Sequence, residues 1–549
     1  MNRDQNNNIT VFPIEATKPK FNRNSHGLSS AVAIKIGPEQ VVDSVFDVKK
    51  PNRDVINVDQ MGMDQIIDHA IKTLIDTGLV FDRGASLLVA IDRNNTIHQL
   101  NARTVRFALS KLVDYRKAGK NGERVSALVP TYVGETICAM TRWEGMPIVC
   151  AVSDHPAVIT SGRMILPGYD KETMVYCRYN PEKYSVPENP TLEDAIVALA
   201  HLQRLLQTFD FETAGDEAAA LAGILTAVTR PVLRTALQTL IDAVESGSGK
   251  GYLGTLMSYF CENEEPFARQ MQADDGEMHK AIMAVLRAAK SVCFFDELGM
   301  SQINLPALRS FGSAPCYSGR ILGGLDDAGY INRTFTLATG NNVTPDADMA
   351  RRMMLLRLNP KCENPSARTF IYKGGGVDDN GKPIETAARE LKLKREFFVS
   401  QVLIIQKAFL KARERGETPA SPTWKAGGYE DWETLCREPV MWLTGADPCE
   451  RMRNTMRNSP SKNALKSMMA AWQLAFGDRP TKANEALKNE GFLEVCEEHI
   501  KRKPGSHVNT INLAIWLTKH KGQITDNGCF DEVGEDAAAK VKYWGIVKN

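Results

Sequence analysis

The sequence has no run of about 18 apolar residues, so no membrane-spanning helix is expected. It has no CxxC pair and no Cys/His cluster at zinc-ligand spacing, although 11 cysteines are scattered from Cys138 to Cys529. That pattern speaks against a disulfide framework or zinc module and fits thiols kept free in a reducing compartment. The first residues, MNRDQNNNIT, lack the apolar stretch of a secretory signal, so a cytoplasmic location is expected. An excess of charge of one sign is missing too, with 67 Lys and Arg against 66 Asp and Glu. A nucleic-acid partner would therefore have to be met by a local basic face rather than by bulk charge. Nine histidines are dispersed, and His155, before a proline, reads as structural rather than catalytic.

What is present is a chain of 549 residues, too long for one compact core. Residues 1–58 read as a loose polar arm, and 59–188 as a mixed α/β domain. In that domain MDQIIDHAIKTLIDTG has helical spacing and ends at Gly78, ASLLVAID reads as a strand, and NARTVRFALSKLVDYRKAGK reads as a second helix. TICAMTRW, MPIVCAV and TMVYCRY look like short strands. Thr191 and Asp194 form a capping-box start for the helix LEDAIVALAHLQRLL. TALQTLIDAV is an apolar strand candidate, and beyond about residue 390 the chain is again mostly helical.

The chemistry gathers in the middle. VESGSGKGYL follows the apolar strand and precedes a predicted helix, so Ser246, Gly247, Ser248, Gly249, Lys250, Gly251 and Tyr252 are candidate nucleotide-binding residues. Glycines let successive N–H groups curl toward a phosphate, lysine adds a point charge, and the helix start adds partial positive charge. The pattern departs from GxxxxGK[ST] at Val244, where glycine is usual, and at Gly251, where a hydroxyl normally meets Mg²⁺. Taken alone, it could be a glycine-rich strand-to-helix turn. About 45 residues on, the apolar run KSVCFF ends in Asp296 and Glu297. A buried strand seldom ends in two acids without a cation or hydrogen bonds to offset them. Asp296 is therefore the candidate Mg²⁺ residue, and Glu297 the candidate for polarising a water. A third run, NRTFTLATGNN, ends in Asn341 and Asn342, and Arg351 and Arg352 precede a further apolar run. The four elements succeed one another over about 105 residues, an order that fits a parallel sheet with its site at the carboxyl ends of the strands.

On these residues the sequence resembles the AAA+ replicative helicases, of the superfamily 3-like and self-loading initiator kind, carried by phages, satellites and cassette elements. HPAVITSGRMILPGYDKETMVY, TAVTRPVLRTA, YSGRILGG, RLNPKCENPSARTF and FGDRPTKANEAL extend the likeness over roughly residues 60 to 545. The resemblance implies an α/β multidomain chain: an AAA+ core over 189–390, then a helical and winged-helix-like region over 391–549. It implies ATP and Mg²⁺ as cofactors, Asn341 and Asn342 in the sensor position, and one of Arg351 and Arg352 as a finger reaching a neighbouring subunit. It also implies a homo-oligomeric ring, expected as a hexamer, that moves along DNA and works with other replication proteins.

DNA contacts are expected at Arg320, in a pore-loop position by resemblance, and along RMRNTMRNSPSKNALK, where Arg451, Arg453, Arg457 and Lys462 are candidates. KRKPGSH at 501–507 is a second basic run, and for either run a solvated basic face is the alternative. Three rival readings stay open. The ATPase could serve as a helicase loader or a defence and remodelling ATPase without unwinding. The altered loop could belong to a non-hydrolysing DNA-binding scaffold, and the Gly-Lys-Gly order is shared with small-molecule kinases.

Overall fold

The computed structural model describes residues 45–46, 53–298, 302–320, 327–362, 364–367, 372–457, 460–500, 507–525, 528–536 and 541–548. Most of the polar arm expected over 1–58, and most of the basic run 501–507, lie outside the described residues; the last part of the expected arm is not loose but forms a strand, Asp54–Asn57.

The amino-terminal module is a patchwork of short strands and helices. It comprises β1 (Asp54–Asn57), α1 (Met63–Asp76), β2 (Val80–Asp82), β3 (Leu88–Ile91), β4 (Ile97–Gln99) and α2 (Ala102–Leu112). It continues with β5 (Val113–Ala118), β6 (Arg124–Ser126), α3 (Thr131–Ala139), β7 (Ala151–Ser153), β8 (Gly168–Asp170) and β9 (Val175–Cys177). They form three small sheets, ordered β1-β5-β6, β2-β3-β4 and β7-β9-β8. Helix α1 runs as its spacing predicts and is followed by Gly78 at φ +64°, a left-handed turn that glycine enters without strain. Two expectations are corrected here. The predicted second helix stops at Leu112, and VDYRKA becomes β5, because Val113 and Tyr115 are buried beside β1 while Asp114 and Arg116, alternating with them, are less buried. TICA belongs to helix α3, with Val133 and Ile137 buried four residues apart, so its β-branched content yields to helical packing on α1 and α2.

Two helices lead to the central sheet: α4 (Leu192–Leu206) and α5 (Ala214–Thr229). Thr191 and Asp194 bond reciprocally, Asp194 N to Thr191 Oγ1 at 3.2 Å and Thr191 N to Asp194 Oδ2 at 2.8 Å. Thr213 and Asp216 repeat the device on α5. The chain then runs through β10 (Gln238–Ala243), α6 (Lys250–Cys261), β11 (Ala268–Arg269), α7 (Asp275–Arg287), β12 (Val292–Leu298), β13 (Gln302–Ile303) and α8 (Pro306–Ser313). Next come β14 (Cys316–Arg320), β15 (Asp327–Ile331), β16 (Phe335–Asn341), β17 (Thr344–Pro345) and β18 (Met353–Leu358). Five of these make one all-parallel sheet in the order β11-β12-β16-β10-β18. All six residues of β10 are buried, as befits a parallel strand covered on both faces. The chain leaves β10, crosses to the far edge, returns to fill the place beside β10 with β16, and ends on the other side with β18. The carboxyl ends of β10, β12 and β16 are thereby brought together.

Helices α9 (Ala387–Leu393), α10 (Arg395–Glu414) and α11 (Glu438–Thr444) pack on this sheet's helices, and α12 (Glu450–Arg457) follows. The hydrophobic core around the sheet continues through these helices to Met452. A separate core, from Leu465 to Trp544, holds α13 (Pro460–Phe476), α14 (Glu490–His499) and α15 (Thr510–His520) against a small antiparallel sheet. That sheet has the order β19-β21-β20, from β19 (Thr481–Lys482), β20 (Cys529–Asp536) and β21 (Val541–Val547). No helix among the described residues is long and apolar enough to cross a membrane.

Candidate nucleotide site at the carboxyl ends of the central strands

The glycine loop leaves β10 and turns directly into α6. Gly247 has φ +77°, and Gly249, the residue capping α6, has φ +92°, so both positions require the left-handed conformation that glycine adopts freely. Inside the loop the Ser248 hydroxyl donates to the Glu245 carbonyl. Lys250, on the first turn of α6, is only 8% exposed. Its ammonium donates to Asn341 Oδ1 at 2.6 Å and to the Glu245 carbonyl at 3.0 Å. Burial lowers the lysine's pKa, while the charges of Asp242, Glu297 and Asp296 pull it back up.

The two acids are aimed by an irregularity in β12. Its register against β16 passes from Phe295 opposite Ala338 to Leu298 opposite Gly340, so three steps on one strand match two on the other. The extra residue is a bulge. Glu297 sits in it with φ +58°, a strained backbone for a side chain of that size. Thr339 of β16 ties the pair down. Its hydroxyl donates to Asp296 Oδ1 at 2.7 Å and accepts from the Glu297 N–H at 2.8 Å. Asp296 is half-buried and Glu297 exposed.

Gly251 faces Asp296. A Cβ built at Gly251 would lie 3.4 Å from Asp296 Oδ1 and 3.5 Å from Oδ2, which is ordinary van der Waals contact. A hydroxyl carried there would reach the acid's oxygens. Among the described residues no three His, Cys, Asp or Glu side chains form a metal cage. The donor set nevertheless fits Mg²⁺, which keeps several waters and takes one or two carboxylates plus phosphate oxygens. Tyr252 turns away from the loop: its ring stacks on Phe209 at 5.6 Å and its hydroxyl accepts the Ala388 N–H at 3.0 Å. Ser246 and Gly247 lie exposed at the loop's tip.

The adjacent asparagines do different things. Asn341 meets Lys250, whereas the Asn342 amide donates to the Val244 carbonyl at 3.0 Å and accepts from Arg357 at 2.6 Å. Asn342, at φ +52°, is therefore a strut for the start of the loop. Arg357, near the end of β18, also bonds Asp242 at 2.8 Å and pairs with Glu212 at 3.2 Å. Sequence reasoning missed Thr339, Asp242 and Arg357. Thr339 had a usable signal, since it stands two residues before Asn341 and so shares its face of the strand.

Arg351 and Arg352 lie just before β18, at the opposite end of the sheet from Lys250, because Gln238 at the start of β10 is paired with Met353. A strand of six residues puts about 20 Å between these ends. Arg352 is anchored on α8, donating to the Arg309 carbonyl and the Ser313 hydroxyl. Arg351 is half exposed and pairs with Asp348 at 3.5 Å.

Of the candidate DNA residues, Arg320 is exposed at the end of β14, in a hairpin with β15 whose tip lies outside the described residues. Arg451 is engaged within the chain, pairing with Asp216 at 2.6 Å and Glu212 at 3.1 Å. Arg453 pairs with Asp447 at 2.8 Å and lies over the Trp424 ring. The basic run concealed these pairings: Asp216 and Glu212 are distant in sequence, and Asp447 lies just before the run. Arg457 and Lys462 are exposed.

No family model matches the chain, and no curated protein matches it. Among solved structures, one described as "SCCmec type IV Cch - active helicase" aligns over 84% of this chain and 90% of its own, at 12% identity and a TM-score of 0.31, a likeness too loose to argue from.

Proposed function

We propose that the chain is an ATP-hydrolysing motor that acts on DNA. The observation that supports this reading is the meeting of a loop lysine, a bulged pair of acids and an asparagine at the carboxyl ends of three adjacent parallel strands. In this reading the N–H groups of the glycine loop and Lys250 hold the phosphates, and Lys250 exchanges Asn341 for a phosphate oxygen. Asp296 would hold Mg²⁺, which would supply charge neutralisation to the phosphate oxygens. Glu297 polarises the attacking water, and Asn341, released from Lys250, orients it. Thr339 keeps both acids in place.

Arg351 is the better finger of the pair, since Arg352 is tied to α8. Placed at the far end of its own sheet, Arg351 could serve only a neighbouring copy's nucleotide, which favours a ring. Arg320 on the β14–β15 hairpin is the proposed pore contact. Arg457 and Lys462, beside three helices and a three-stranded sheet of winged-helix-like make-up, are proposed to hold DNA phosphates. The deciding experiment is ATP hydrolysis with and without single-stranded DNA, followed by strand displacement on a forked duplex. DNA-stimulated hydrolysis with displacement supports a helicase. Hydrolysis without displacement would make it a loader or remodeller, and no hydrolysis at all would sink the motor.

A further inference from the structure

At the opposite end of the central sheet from Lys250, three arginines gather around a small cavity between the amino-terminal module and the core. Arg83 follows β2, Arg230 caps the end of α5, and Arg333 precedes β16. Arg83 is 2% exposed and Arg230 4%. The cavity has about 20 Å³ of room for water-sized spheres, enough for one particle of that size. None of its lining residues is acidic. Arg230 donates only to backbone carbonyls, those of Thr334 at 3.0 Å, Leu233 at 2.7 Å and Asn332 at 2.8 Å. Arg83 donates to the carbonyls of Val149, Leu286 and Ile331. Arg333 donates to the Leu233 carbonyl. After those bonds the Nε atoms of Arg83 and Arg333 are buried without an acceptor.

This is an unusual balance of charge. Guanidinium groups remain cationic when buried, and a buried cation without a counter-charge is costly. Backbone carbonyls supply dipoles but no charge. Asp431 acts on Arg333 from outside, and Glu262 follows the lining residue Cys261, but neither lines the cavity. Two unmet donors on residues that line a cavity of ion size, with only positive charge in the lining, call for an acceptor that carries negative charge.

We propose that this cavity is a binding site for one small inorganic anion of halide size, held by Arg83 and Arg333 with Arg230 behind them. Because Arg83 belongs to the amino-terminal module and the other two to the core, the anion fastens one to the other. It stabilises the folded chain in proportion to its occupancy.

The test is unfolding of the full chain in potassium chloride against potassium gluconate at equal ionic strength, gluconate being too large to enter. Chloride should raise the midpoint by about 2–4 °C, and Arg83→Gln should lose most of that increment. An equal midpoint in the two salts, or an increment fully kept in Arg83→Gln, would overturn the proposal. Stabilisation by phosphate but not chloride would overturn the assignment of size. If Arg83→Gln does not fold, wild-type crystals soaked in bromide decide. An anomalous peak within hydrogen-bonding reach of both Nε atoms supports the site, and its absence there rejects it.

Discussion

The two ends of the central sheet handle charge in opposite ways. At the carboxyl end both signs are present: Lys250 and Arg357 stand among Asp242, Asp296 and Glu297, and several bonds run between side chains. Such a set can exchange partners, and Lys250 can leave Asn341 when something more negative arrives. Around the cavity at the amino end the charged side chains are of one sign and their partners are carbonyls fixed in the backbone. They cannot rearrange without moving the chain. In the proposed reading one scaffold carries a site for turnover and a junction that holds two modules together, and the difference lies in whether the acceptors can move.

The largest effects should come from the carboxyl end. Lys250→Ala and Glu297→Gln are each expected to lower kcat for ATP by about a thousandfold, read in a steady-state phosphate-release assay. Only Lys250→Ala should also weaken nucleotide binding. A Glu297→Gln enzyme with wild-type kcat would end the assignment of the bulged acid. Next, Arg351→Ala is expected to cost at least about a hundredfold in kcat, against less than about tenfold for Arg352→Ala, which should act on stability instead. Mixing Arg351→Ala with Lys250→Ala subunits should rescue part of the activity if the arginine serves a neighbour.

The arginine cavity at the amino end, unlike Arg351, should respond in stability alone. Arg230→Met removes the donor from three carbonyls and should cost about 2–3 kcal/mol in urea unfolding, with kcat of the folded protein within about twofold of wild type. A large loss of kcat there would break the contrast between the ends.

A pH effect of similar size is expected in the amino-terminal module. His155 is fully buried, and burial lowers its pKa to about 4, with the charge of Arg395 adding to the shift. Its Nδ1 lies 2.9 Å from the Pro156 carbonyl, and its Nε2 has no partner. The unfolded chain therefore binds a proton below about pH 6.5 that the folded chain refuses until about pH 4. Stability should fall by about 2 kcal/mol from pH 7 to pH 5, and His155→Gln should flatten that slope. The smallest effect belongs to Gly251→Ser, whose Cβ clears Asp296. It should lower the Mg²⁺ concentration for half-maximal hydrolysis by about twofold to tenfold.

Much of the carboxyl end was legible in the residues. Glycines that need positive φ, a lysine on the following turn, acids ending an apolar run and a polar strand tip are all local signals, each set by bonding within a few residues. The bulge that aims Glu297 was not legible, because it is a mismatch of register between β12 and β16. Nor was the split between Asn341 and Asn342, since which neighbour each amide meets depends on Lys250 and Arg357, far away in the chain. The basic run at 451–457 shows the same limit, for Arg451 is engaged by Asp216, an acid 235 residues earlier. The helix expected through VDYRKA became a strand because β1 offered an edge to pair with. The sequence alone determined which residue types can bind a phosphate, cap a helix or fill a core, because those follow from covalent structure and short-range sterics. Which charges are paired, which are left facing a cavity, and at which end of the sheet each stands was decided by tertiary structure, because burial and long-range pairing set the energy of a charge.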